Sequence, residues 1–227
     1  MVIFSKTKTM QPTTENQNQV ISYLNLRTLI GVLGLTLPIL LVIVDSISRC
    51  GFYIEFSISD YYDNGAAGDL LVGVLFVLGF FLVSYKGYNK TDDRVADVGF
   101  LAALGVALCP TTSKIPAIHI LHFVFALMLF SVFIIFSLIL FRKTRKDITP
   151  TPQKKNRNRV YTTCGIIMII SVLGIIASLQ KPFEDFSSRY SLVFWFETIA
   201  LISFGFSWIV KGEVFWKDVK QADTTLK

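Results

Sequence analysis

The sequence predicts a bundle of six transmembrane α-helices with both termini in the cytoplasm, and three observations carry that prediction. Of 227 residues, 52% are hydrophobic and only 17% charged, with mean hydropathy +0.56. A soluble domain of this length needs more polar surface, because its core cannot absorb so much apolar side chain. The apolar residues are also gathered into long runs, and a run of roughly 20 crosses about 30 Å of hydrocarbon. Finally, 18 of the 22 lysines and arginines fall on one side of the alternation that six crossings impose, against Arg49, Lys114, Lys181 and Arg189 on the other. The positive-inside rule assigns the rich side to the cytoplasm.

Three segments result: a polar tail over 1–22, a transmembrane domain over 23–212 and a second cytoplasmic tail over 213–227. The first 20 residues, MVIFSKTKTMQPTTENQNQV, lack the apolar core of a cleavable signal peptide. The spans are expected at 24–46, 66–86, 95–110, 117–142, 160–180 and 189–211. Pro38 lies inside the first, near Gly31 and Gly34, and predicts a kink. Pro110 and the polar run Thr111–Lys114 stop the short third span. Pro116 then suits the opening turn of the fourth, where a missing N–H costs nothing. Gly99 and Ala103 form a small-xxx-small pair on the third span, of the kind that lets backbones approach where lipid supplies no hydrophobic drive.

With topology assigned, polar residues can be placed by depth. Asp45 ends the first span on the outer side, and Asp60, Asp63 and Asp69 lie in or just after the first outer loop. His119 and His122 are one turn apart on the outer end of the fourth span. Glu197 lies eight residues past Arg189 on the sixth, roughly 12 Å inward at helical rise. A charge at that depth costs on the order of 3 kcal/mol and normally faces the protein interior, so a specific partner is expected, with His119 and His122 nearest by depth. The first outer loop, FYIEFSISDYYDNGAAGD, alternates apolar and polar residues up to Ser59. This period of two predicts an extended segment lying over the bundle, ended by the turn pair Asn64-Gly65. The candidate outward-facing polar pocket is therefore Asp45, Ser57, Ser59, Asp60, Asp69, His119, His122 and Glu197.

Three function classes remain open: a lipid-associated protein without catalysis, a metal-dependent membrane hydrolase of a lipid amide or ester, and a proton- or cation-linked transporter or channel. The first needs no cofactor. The second needs one divalent metal such as zinc, held by His119 and His122 with an acid. In the third, Glu197 and Asp45 are the ion sites. Membrane lipids are the expected partners, a homo-oligomer is left open, and nucleic acid is not expected, because the +6 net charge lies in short segments flanking the spans. The expected location is the cell membrane, crossed several times. Cys50 and Cys109 both fall on the outer side, where a disulfide between them is permitted; Cys164 falls near the cytoplasmic end of the fifth span. No CxxC, nucleophile elbow, Walker loop or HExxH motif occurs.

Three stretches, SISDYYDNGAAGD, AIHILHFVFALMLF and FETIALISFGFSWIVKGE, resemble a group of uncharacterised bacterial six-helix integral membrane proteins. That group is distantly similar to the DRAM and GPI-remodelling-factor type. The likeness runs from about residue 25 to 213. Ser57, Ser59 and Asp60 match the family's Ser-x-Ser-Asp/Glu segment, and His122 with Ala126 its helix-opening histidine. The resemblance implies a six-helix fold and a role in membrane lipid organisation or remodelling, and it supplies no agreed catalytic residue. A second likeness, to the alkaline-ceramidase and progestin-receptor superfamily, rests on the residue types of Ser57, Asp60, His119 and His122. That superfamily has seven helices and a His-x-x-x-His pair in the last, whereas the sixth span here has no histidine.

Overall fold

A computed structural model of the protein describes residues 23–87, 89–144 and 149–217. The expected tail over 1–22 and most of the second tail lie outside the described residues, as do residues 145–148 of the basic loop. Among the described residues the chain is helical, with no strand. In chain order the helices are α1 (Tyr23–Ser48), α2 (Ala66–Val83), α3 (Lys90–Leu108), α4 (Pro116–Ile135), α5 (Pro152–Ser178), α6 (Glu184–Tyr190) and α7 (Leu192–Lys211). A π-helical turn, Phe136–Leu140, prolongs α4, and a short 3₁₀ helix, Ile58–Asp63, sits between α1 and α2.

Five of these helices are long and apolar enough to cross a membrane: α1, α2, α4 with its π turn, α5 and α7. The exception is α3, whose first eight residues include Lys90, Asp92, Asp93, Arg94 and Asp97. It begins five residues before the expected start because Asn89 caps it, its side chain accepting the Asp92 N–H at 3.1 Å. Its apolar part, 98–108, is about 16 Å long at helical rise, half a hydrocarbon thickness. The fold nevertheless packs α3 between α2 and α4, burying Gly99, Ala102, Ala103 and Val106. Likewise α5 starts at Pro152, eight residues before the expected span. Thr151 caps it by accepting the Lys154 N–H at 3.1 Å, and the polar first two turns extend the helix past its apolar run.

The six long helices close into a ring in the order α1, α2, α3, α4, α5, α7, and back to α1. Its tightest seams are α1 with α7 and α5 with α7. Gly31 and Gly205 explain the first. A Cβ on either would lie 2.5 Å from the other's carbonyl oxygen, so only glycine admits this backbone approach. By contrast α4 packs lightly on α5, and much of their contact is made by the π turn at one end. Pro38 sits within α1 without ending it.

Outward surfaces carry large apolar side chains, including Ile39 and Ile43 on α1, Ile120 and Val124 on α4, and Ile170 and Leu173 on α5. Inside, Ser137 of the π turn donates to Ser207 Oγ of α7 at 2.9 Å. Apolar faces of this extent suit hydrocarbon and not water, so the chain is read as an integral membrane protein.

Candidate functional site

The site forms where the α1–α2 loop is drawn across the bundle. The expectation of an extended loop holds only up to Ser57. Beyond it the chain coils into the 3₁₀ helix, because Asp60 turns back to accept the Ser57 N–H at 3.0 Å. Gly65, at φ +51°, and Gly68, where a Cβ would meet the Tyr62 carbonyl at 1.9 Å, complete the turn into α2. Buried Tyr61 plugs the loop against Phe194 and accepts the Glu55 N–H.

Asp45 contributes to this closure. It is fully buried and ion-paired with Arg49 at 3.0 Å. Arg49 reaches Glu55 at 2.8 Å, and the same Glu55 oxygen accepts from Asn64 at 2.9 Å. The ladder ties the end of α1 to both ends of the loop.

The loop docks on α7 through two long-range bonds. Phe194 donates its N–H to the Phe56 carbonyl at 2.9 Å. Ile58 donates its N–H to Glu197 Oε2 at 2.6 Å. Glu197 therefore has a specific partner, but that partner is a backbone amide and not His119 or His122. The spacing of side chains along helices could not have indicated it, because the partner is main chain.

His122 is buried, with both ring nitrogens engaged. Nδ1 lies 2.6 Å from the Cys109 carbonyl and Nε2 2.9 Å from Ser59 Oγ. A carbonyl only accepts, so Nδ1 carries the proton and Nε2 accepts from the Ser59 hydroxyl. His119, one turn earlier, is exposed and lies edge-on to Phe123. A metal bound by both histidines would need His122 to give up Cys109 or Ser59. Among the described residues no three His, Cys, Asp or Glu side chains are grouped closely enough to hold one.

Six of the eight candidate residues line a single pocket of about 490 Å³: Ser57, Ser59, Asp60, His119, His122 and Glu197. Its long walls are apolar, formed by Phe123, Leu127 and Phe130 of α4 facing Val172 and Ile176 of α5 and Leu179, which caps it. The pocket occupies the seam where these two helices pack lightly. Burial pushes the Asp60 carboxyl above its ordinary value, opposed by its bonds to Ser57. Asp45 and Asp69 do not line the pocket. Asp69 is exposed in the first turn of α2, where an acid favours the helix N-terminus. Cys50 and Cys109 are free thiols, so the permitted pairing is not formed; Cys164 is free and buried.

Compared with family models, curated proteins and solved structures, the chain matches none.

Proposed function

We propose that this chain is a six-span protein of the cell membrane with both termini in the cytoplasm, and that its outer pocket receives the apolar part of a lipid through the gap between α4 and α5. The observation that carries the reading is the pocket itself. It has ligand size, long apolar walls at the looser seam of the ring, and its polar groups collected at the loop end. In that reading α3 is the sixth span, its short apolar part completed by neighbours on both sides. The likeness to lipid-remodelling membrane proteins is in keeping with it.

The test is photocrosslinking of purified protein in nanodiscs with a phospholipid bearing a diazirine on its acyl chain. Crosslinks should concentrate on α4 and α5 between residues 119 and 130 and between 172 and 179. The substitution Ala126→Phe, which fills the pocket wall, should remove them. Uniform labelling of every outward face, unchanged by that substitution, would sink the proposal. For topology, reporters after Lys227 and within 143–159 should read cytoplasm, and one near residue 63 should read outside; outer labelling of 143–159 reverses every depth assignment.

The Ser59–His122 geometry favours a second reading, hydrolysis of a lipid ester. His122 Nε2 is placed to take the Ser59 proton while the Cys109 carbonyl orients the ring, the nucleophile–base–orienter arrangement of acyl transfer. Ser59 Oγ would bond to the ester carbonyl carbon as the alcohol leaves with that proton, and water would then release the acid and restore the hydroxyl. A fluorophosphonate should label wild type and not Ser59→Ala. Equal labelling of the two removes this reading and leaves lipid binding intact.

A further inference from the structure

At the other end of the bundle lies a second pocket of about 490 Å³, and its lining is of another kind. Six cationic side chains converge on it: Arg27, Lys86, Lys143, Lys154, Arg157 and Lys211. Glu213 is the one acid among the described lining residues. These cations come from the start of α1, the loop after α2, the segment after the π turn, the first turns of α5 and the end of α7. The site is therefore assembled by tertiary structure and belongs to no single run of sequence. It stands about 14 residues along α7 from Glu197, roughly 21 Å at helical rise.

Two of these cations meet acids, and Lys211 meets none among the described residues. Lys143 is ion-paired with buried Asp92, and Arg157 lies 3.8 Å from Glu213. Lys154 donates to the Phe141 carbonyl at 2.7 Å. Lys211 is the decisive residue. It is only 8% exposed, its Nζ sits 5.3 Å over the Phe141 ring, and it has no hydrogen bond or ion pair among the described residues. The Arg27 guanidinium rests on Tyr23 and Tyr85, and its buried Nε has no hydrogen-bond partner among the described residues. Burying an ammonium group among other cations is costly unless an anion offsets it.

The rest of the cavity is built to hold its shape. Tyr23 donates its hydroxyl proton to the Lys86 carbonyl at 2.8 Å and its oxygen accepts the Lys86 N–H at 2.9 Å, which pins the rim. Trp208, Phe136, Phe141 and Tyr85 make mutual edge and tilted contacts beneath it. Thr151, which caps α5, also lines the cavity, so the positive end of a 27-residue helix faces the same volume.

We infer that this cavity binds a phosphate group. Two guanidinium groups supply planar forks that match phosphate oxygens, and the lysines supply further charge-assisted donors. Two sources of such a group fit the position: the headgroup of an anionic phospholipid in the adjoining leaflet, and a free phosphate from the aqueous phase. This site is independent of the outer pocket and of the function proposed for it.

The experiment uses full-length protein in nanodiscs, with thermal unfolding as the readout. In phosphatidylcholine discs, inorganic phosphate should raise the midpoint, with chloride at matched ionic strength as the control. Lys211→Met, which keeps the packing and removes the charge, should weaken the apparent phosphate affinity about tenfold or more. Lys154→Met, at a half-buried position, should weaken it in the same direction and serves if Lys211→Met folds poorly. If phosphatidylglycerol discs raise the midpoint by themselves and abolish the response to added phosphate, the lipid headgroup is the source. If the response to phosphate persists in those discs, the free anion is. The inference is overturned if neither phosphate nor phosphatidylglycerol shifts the midpoint. It is equally overturned if both variants respond as wild type does.

Discussion

The two ends of the bundle hold cavities of the same size, about 490 Å³ each, built on opposite terms. At the loop end, three bonds tie polar groups together: Ser59 with His122, His122 with the Cys109 carbonyl, Glu197 with the Ile58 amide. Their hydrogen bonds hold the loop down and leave an apolar volume between α4 and α5. At the opposite end six cations and one acid line the cavity among the described residues, and buried Lys211 has no hydrogen bond or ion pair among them. Polarity that is internally satisfied shapes a container, whereas polarity left unsatisfied specifies what enters it.

Both cavities hang on the α1–α7 seam, so the largest effect is expected there. Gly205→Leu forces a side chain into the Gly31 carbonyl, and an overpacked contact of this kind costs about 3 kcal/mol. Monodisperse protein should be lost on size-exclusion chromatography, and with it both cavities. Survival of either binding behaviour in Gly205→Leu would show that the cavity concerned does not depend on this seam.

The next substitution separates the two ends. Glu197→Leu leaves the Ile58 N–H without its acceptor, a loss of about 1–3 kcal/mol. Glu197→Gln keeps an acceptor oxygen and should retain most of the stability. Thermal midpoints should fall in the order wild type, Gln, Leu, with the response to phosphate at the cationic cavity unchanged in all three. A Leu variant as stable as wild type would show that the Ile58 bond does not hold the loop.

Ser59→Ala removes one bond between the loop and α4, worth about 1 kcal/mol. Hydrogen exchange should quicken over 56–63 and stay unchanged over 84–87 at the rim of the cationic cavity. Protection equal to wild type over 56–63 would mean that the bonds to α7 and the ladder through Arg49 and Glu55 hold the loop without Ser59.

The smallest effect is a pH dependence confined to the loop end. Because burial raises the Asp60 pKa on folding, its favourable contribution is full below the ordinary aspartate range. It is lost as pH rises through the raised value. Asp60→Asn keeps an acceptor for the Ser57 N–H and should flatten that part of the stability profile. An unaltered profile in Asp60→Asn assigns the dependence to another group.

Much of the fold was legible because its signals are local. Long apolar runs, the proline at 116 and the flanking charges announce α1, α2, α4, α5 and α7 within one stretch of chain each. The third span was placed by its small residues and by the alternation of charge, and α3 lies there as a helix, begun earlier by the Asn89 cap. The short helix Glu184–Tyr190 was missed, since seven residues carry too little periodicity to register. Depth along each helix brought Ser57, Ser59, Asp60, His119, His122 and Glu197 to one end, and six of the eight candidates share a pocket. Asp45 and Asp69 have the same depth but face a different neighbour, and depth says nothing of azimuth.

The sequence by itself determined that this chain builds apolar helices, where their apolar runs lie, and which polar groups share a level. Those properties follow from hydropathy and helical rise, which are summed along the chain. Only the tertiary structure decided that Glu197 is held by the Ile58 amide, that His122 turns one nitrogen to Ser59 and the other to Cys109, and that Lys211 is buried among five other cations. Each of these joins residues far apart in the chain, some through backbone atoms that every residue type possesses, and such pairings are settled by how the helices pack.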